Sequence, residues 1–364
     1  MWFKSVLAVL IVLFLTQCFH QKRSPLAPEF SKLDSLPEAD DIVIIGDKAY
    51  VSLQRLDTKN GWIPDTAKVL VINTLNDSVE HVISLKTKNP KSMIAINNQI
   101  YIASTGSYSG GGGGIEVLDA TNNSTALLVD ESIFGSKIEA FALSGPEKGY
   151  VVVGTYGVPY KLVSFNPATG QIIHGQLPSF SGLYTASIKV YNNRLYVCDR
   201  DTVKPGLLIY DVNSDTLISG PLSTGLSPNS AAFTDSFAMI TTSNYQNGNL
   251  SRYDLAANKM ETELLPIDQD NDITSDGNSF FILQKFPTSS IIKIKVASPA
   301  AVLWQYSTGL NFKGEGTNPS SLGFINPTKT YLTLYGHFYI LIINPAAEKE
   351  TDFIRDSINI LEYQ

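Results

Sequence analysis

The chain has 364 residues, of which 43% are hydrophobic and 17% charged, and its formal net charge is −7. This acidic balance excludes the basic footprint that a nucleic-acid partner requires. The length exceeds what one hydrophobic core usually serves, which points to several domains or to an array of units that pack on their neighbours.

Residues 1–18 read as an export leader. Lys4 supplies a positive start, and Val6 to Leu15 is an unbroken apolar run, too short for a membrane span but suited to a signal sequence. The run ends in Leu15-Thr16-Gln17-Cys18. This resembles the lipobox of bacterial lipoproteins, with Gln17 departing from the usual small residue. The resemblance implies lipidation of Cys18 and attachment to a membrane through the lipid anchor only. Residues 19–38 carry Pro25, Pro28 and Pro37, and read as an extended tether. Part of this tether is a candidate for pairing with the last repeat.

From residue 39 a phrase recurs in which an apolar run ends in Asp or Asn and a turn follows. The copies are Val69–Asn73, Ile115–Asp119, Leu162–Asn166, Leu207–Asp211 and Leu250–Asp254, with looser ones at Ile291–Lys295 and Ile340–Asn344. Their spacing of about 40 to 50 residues is the period of radial β arrays. A second motif precedes each copy: Ala49–Ser52, Ile100–Ala103, Gly149–Val152, Leu195–Cys198, Ala238–Thr241, Phe280–Leu283 and Tyr331–Leu334. Within one unit, Met93–Ile96, Ile100–Ala103, Ile115–Asp119 and Ala126–Val129 are short strands separated by Asn-rich turns. Asn suits such turns because it tolerates positive φ. The pattern predicts an all-β, seven-bladed β-propeller of four-stranded antiparallel blades, one domain over residues 39–364. Tyrosines in the second strands are expected to pack between blades.

The loops between second and third strands vary most. Gly110–Gly114 lacks the Lys-Ser/Thr of a phosphate loop and reads as a flexible linker. Asp268–Asp272, expected between blades five and six, alternates acids like a calcium loop. It has Ile273 where an EF-hand needs Gly and Ser279 where it needs Glu, and so reads as a solvated loop. The tail from Asp352 is either an outer strand or a short packed segment. Cys198 falls on a second strand and reads as a buried free thiol.

Chemistry-bearing motifs are scarce. Of the four histidines, His20 is in the tether, His81 and His174 fall on or beside outer strands, and only His337 sits in a second-to-third-strand loop. There is no Gly-x-Ser-x-Gly elbow, no zinc spacing and no haem attachment motif, and no cofactor is expected.

The Asn-Asn turns before Tyr-Val-x, with Pro90–Ala103 and Asn166-Pro-Ala-Thr-Gly170 as the best examples, resemble the YncE-like group of seven-bladed propellers. That resemblance implies the fold and a secreted or surface location. The reading is a non-enzymatic binding or scaffold lipoprotein of the bacterial cell envelope, in the periplasm or on the outer surface. Its partner would be an envelope protein or a small molecule. The alternative is a hydrolase or lactonase-like propeller whose acids converge from several blades. The expected ligand face is built by the second-to-third-strand loops, which carry Arg55, Trp62, Tyr108, Tyr156, Tyr160, Arg200, Tyr245, Lys285, Tyr335 and His337. Tyr, Trp and Arg dominate binding hot spots.

Overall fold

The computed structural model describes residues 38–57, 63–155, 158–180, 185–295, 301–309, 314, 316–335 and 337–363. Cys18, Trp62 and Tyr156, with the leader and the tether through residue 37, lie outside the described residues.

The alternation of short apolar strands and Asn/Asp turns folds as seven successive four-stranded meanders. Blade one is Ala39–Ile45, Lys48–Leu53, Lys68–Asn73 and Ser78–Ser84. The first strands of the next six begin at Pro90, Lys137, Thr185, Ser227, Asp270 and Pro319. Each first strand lies beside the first strands of both neighbouring blades, with blade seven beside blade one, so the sheets close a ring with the first strands innermost. This is the seven-bladed β-propeller that the repeat count predicts. The tail resolves as the outer strand Ile354–Asn359 and a short turn Leu361–Tyr363. A small ribbon, Leu56–Asp57 against Ile63–Pro64, decorates the blade-one loop.

A single four-stranded sheet cannot bury both faces, and the core reflects that. It consists of seven clusters, each spanning one blade interface. Tyr50, Val69 and Ile83 meet Met93, Ile100 and Leu118, for example, and Tyr150 and Leu162 meet Ile188, Val197 and Tyr210.

The recurrent phrase has a physical cause. Its terminal Asp or Asn caps the turn to the fourth strand by accepting the amide hydrogen two residues on. The bonds are Leu75 N to Asn73 Oδ1 at 2.9 Å, Thr121 N to Asp119 Oδ1 at 2.8 Å and Ala168 N to Asn166 Oδ1 at 2.9 Å. The same bond follows Asp211, Asp254 and Asn344. Such turns hold one residue at positive φ, and here those are Asp77, Asn123, Gly170, Asp215 and Asn258, types that tolerate it.

Three of the second-strand tyrosines, Tyr50, Tyr150 and Tyr331, bury their rings and reach with their hydroxyls to that turn in the next blade, whereas the Tyr101 hydroxyl donates to Gln99 of its own blade. Tyr50 donates to Ala120 O at 3.3 Å, and Tyr150 donates to Asp215 Oδ1 at 2.8 Å. Tyr331 of blade seven donates to Asp77 of blade one. Lys148 and Lys329 join the same two aspartates at 2.7 and 2.6 Å.

The Gly110–Gly114 run is a hydrogen-bonded turn rather than a flexible linker. Ser107 N donates to Gly111 O at 2.9 Å and Lys88 N to Gly112 O at 2.8 Å. A Cβ at Gly106 would sit 2.5 Å from Gly113 N at a φ of +81°, so the close approach of backbone to backbone requires glycine there.

Asp215 is buried and receives Lys148, Tyr150, Ser164 and His174. Burial acts to raise its pKa, but these donors outweigh it and hold the carboxyl below its ordinary value. Asp215→Ala strands a half-buried cation and a buried phenol, and is expected to cost about 2 to 3 kcal/mol in urea unfolding. Asp254→Ala, which removes only an exposed turn cap, should cost about 1 kcal/mol. Equal losses would contradict the interlock.

Candidate functional site

The functional candidate begins with a fault in the ladder. In every blade the pairing of first and second strands slips by one residue at the same level. In six blades the extra residue is on the first strand, between Ala39 and Ile42, Pro90 and Ser92, Ile138 and Ala140, Thr185 and Ser187, Pro228 and Ser230, and Pro319 and Leu322. In blade six the extra residue is Lys285, on the second strand. A bulge leaves its residue unpaired and re-aims side chains. The bulges place Asp40 and Asp41, Lys91, Glu139, Lys285, and Ser320 and Ser321 around the ring axis.

The result is a cavity of about 360 Å³ on the axis, lined from all seven blades. Its charged residues are Asp40, Asp41, Lys91, Glu139, Lys189, Asp272 and Lys285. It lies where the first strands begin, the end that also carries the second-to-third-strand loops. Asp41 is enclosed: Met93 N donates to Oδ2 at 2.7 Å, while Ser321 Oγ and Ile42 N donate to Oδ1, each at 2.8 Å. Burial raises its pKa against the pull of these donors and of the Lys189 charge. Burial likewise raises Glu139, opposed by Lys91 and Lys137. Asp272 lies 3.9 Å from Lys285. The acids expected as a solvated loop before blade six instead begin its first strand, Asp270–Ser275, and Asp272 faces the axis. Among the described residues no group of three or more His, Cys, Asp or Glu is placed to hold a metal ion.

A second cavity of about 420 Å³ opens beside the first, over blades four to six, and shares Ser187, Ser230, Asp272 and Lys285 with it. Arg200, Tyr245 and Lys285, three of the residues expected on the ligand face, meet here, together with Phe286, Asn229 and Asp270. The Arg200 guanidinium lies 4.6 Å from the centre of the Tyr245 ring, and its Nη1 donates to Asn229 Oδ1 at 2.7 Å.

The other expected residues are elsewhere. Arg55 is spent within its own loop, donating to Thr66 O at 2.6 Å and pairing with Asp65 at 2.8 Å. Tyr108 is exposed on a loop tip, its carbonyl bonded by Lys137. Tyr160 is a core residue against Gly154. His337 is buried between Phe338 and Tyr339, and burial lowers its pKa to about 4, leaving it neutral. The Tyr335 phenol is raised by burial and by the nearby Glu38 and Tyr108.

The residues that sequence reasoning missed are Asp40, Asp41, Lys91, Glu139, Lys189 and Asp272. A signal was present: a charge or serine recurs just ahead of the first-strand apolar residues Ile42, Met93, Ile188, Ile273 and Leu322. The loop tips also carry exposed apolar side chains, Ile63, Tyr108, Val158, Val203, Tyr245 and Phe286, one from each of six blades. Cys198 is buried and unpaired, and burial pushes its thiol up to about 12.

At the start of blade one, Glu38 is fully buried, and burial pushes its pKa up to about 8 against the pull of the Leu56 amide. A raised folded-state pKa means that its contribution is whole below the unfolded value of about 4.3 and is lost as pH rises toward 8. Glu38→Gln should therefore raise the urea midpoint at pH 8 and leave it little changed at pH 4. A loss of stability at pH 8 would show that the charged form is the one the fold holds.

No protein-family model matches the chain, and no curated protein matches it. Among solved structures it is similar to a streptogramin B lyase, with a TM-score of 0.60 at 12% identity, over 83% of this chain and 92% of that one. It is also similar to a computationally designed protein, Ika8, with a TM-score of 0.56 at 12% identity, over 90% of this chain and 88% of that one. Likeness at this identity concerns the fold alone.

Proposed function

We propose that the chain is an exported, lipid-anchored binding protein of the bacterial cell envelope, non-enzymatic, holding its ligand at the axial mouth. The observation that carries the reading is the lateral cavity, in which a pinned arginine and two exposed aromatic rings open onto the charged neck. Aromatic and arginine anchors in a concave site are what ligand binding uses. The apolar loop tips around the mouth suit a protein or small-molecule partner. The leader, the lipobox-like Leu15–Cys18 and the YncE-like repeat support export and the envelope location.

The converging carboxyls of Asp40, Asp41, Glu139 and Asp272 favour a second reading, a hydrolase or lactonase-like enzyme. Three observations weigh against it. Lysines stand among the acids, Asp41 is already occupied by three donors, and no described serine or cysteine at the mouth is hydrogen-bonded to a histidine. Turnover of an ester and lactone panel that disappears in Glu139→Gln would favour the enzyme.

The binding reading is tested by retention from envelope extract on immobilised wild-type and Arg200→Ala chains. A molecule held by the wild type should bind the variant about tenfold or more weakly. Equal retention would move the site away from this face. For the anchor, acyl label should enter the wild type and be absent from Cys18→Ala; no label in the wild type would remove the lipoprotein reading.

A further inference from the structure

We propose that the lateral cavity selects a carboxylate borne on a six-membered ring, as found in an aromatic acid or a terminal uronic acid. This rests on the reading that the ligand sits at the axial mouth, and adds its chemical class.

Arg200 is held at the wall of this cavity. Its position is fixed by a chain of side-chain amides. Asn229 Oδ1 accepts from Arg200, Asn229 Nδ2 donates to Asn271 Oδ1 at 2.9 Å, and Asn271 Nδ2 donates to Asp268 O at 2.6 Å and Thr242 O at 3.2 Å. The guanidinium carbon lies over the Tyr245 ring. Tyr245 is itself fixed, its N donating to Ser243 Oγ at 3.0 Å. Among the described residues Arg200 makes no ion pair, and only one of its five N–H donors has a partner, Asn229. An arginine oriented this way has already lost the freedom that binding would cost it, and its planar fork matches a carboxylate in a bidentate pair.

The apolar part of the ligand follows from the lip. Tyr245 is 70% exposed and Phe286 58% exposed, beside the arginine rather than in the core. Arg200 covers one face of Tyr245, so the remaining ring surface and Phe286 are open to a flat partner. A cavity of about 420 Å³ has room for one or two such rings.

The charge of the ligand follows from the balance. Arg200 and Lys285 stand against Asp270 and Asp272 in the same cavity, two cations and two carboxylates. A single carboxylate can take the arginine without meeting both acids. A phosphate dianion brings twice the charge into a site with no net positive charge, and is disfavoured.

The test is calorimetric titration of the full-length chain with 4-hydroxybenzoate and with a galacturonate trimer, each beside its methyl ester, and with hexanoate and inorganic phosphate. At least one ring acid should bind, and its methyl ester should bind about tenfold or more weakly. Arg200→Lys, which keeps the charge and loses the fork, and Tyr245→Ala should each weaken the acid by a similar factor. Asn229→Ala, which frees the guanidinium, should weaken the acid more than the ester. The two arms tell an aromatic acid from a uronic acid. Esters binding as well as acids, or hexanoate or phosphate binding as well as the ring acids, would overturn the proposal. Should neither ring acid bind while a molecule from envelope extract is lost with Arg200→Ala, the ligand class falls and the site stands. If that molecule is kept by Arg200→Ala, both fall.

Discussion

A ring of sheets has to close, and among the described residues no strand is shared across the seam. Blade one and blade seven are each built from consecutive strands, and no described ladder joins them. Closure is therefore left to side chains. Thr333 Oγ1 donates to Asp40 O at 2.7 Å, Ser320 Oγ to Asp40 Oδ1 at 2.6 Å and Ser321 Oγ to Asp41 Oδ1 at 2.8 Å. At the other end Tyr331 and Lys329 grip Asp77, and Lys329 also donates to Thr74 O at 2.7 Å. Between these polar ends lies an apolar cluster that joins Ile42, Val51 and Leu70 to Tyr331, Ile340 and Ile358. The apolar part resembles every other interface in the ring. The grip of Tyr331 and Lys329 on Asp77 repeats that of Tyr150 and Lys148 on Asp215, so the contacts of Asp40 and Asp41 with Thr333, Ser320 and Ser321 are what mark this seam, and buried polar groups without partners are costly.

The same aspartates line the axial cavity, so closure and the candidate site depend on one another. Asp41 ties Ser321 of blade seven and the Met93 amide of blade two to blade one, and it stands at the neck. Burial would favour its neutral form and the surrounding donors favour the charged one, which is the condition of a group whose place in the fold is fixed by its neighbours. The bulge that places Asp40 and Asp41 recurs in each blade. A repeat can thus keep one backbone and vary only the side chain offered at that level: acid in blade one, lysine in blade two, glutamate in blade three. A net charge of −7 for the whole chain says little about such a neck, where lysines and carboxylates alternate.

The architecture was legible because its signals are local. Asp211 and Asn166 end an apolar run for a reason that acts within three residues, and Tyr150 recurs because every interface presents the same cleft. The site was legible in part. Arg200, Tyr245 and Lys285 were found from loop position and residue type, and the structure brings them to one cavity. Tyr160 and His337 share that loop position but are buried, and the inward turn of Tyr160 depends on packing with distant residues such as Phe180 and Leu177. The neck residues were missed because a bulged strand start such as Asp270-Asn-Asp272 looks like a loop when read along the chain. Only the register with Phe286 and Gln284 makes it a strand.

If closure rests on the blade-one aspartates, its removal must be felt on both sides of the seam. Deuterium exchange of the Asp41→Ala chain is the direct measurement. The account predicts faster exchange at the Met93 amide and along Ile42–Ile45 of blade one and Leu322–Phe324 of blade seven together, with Phe141–Leu143 and Ile188–Val190 protected as in the wild type. Faster exchange confined to Ile42–Ile45, or spread evenly over all seven blades, would contradict it.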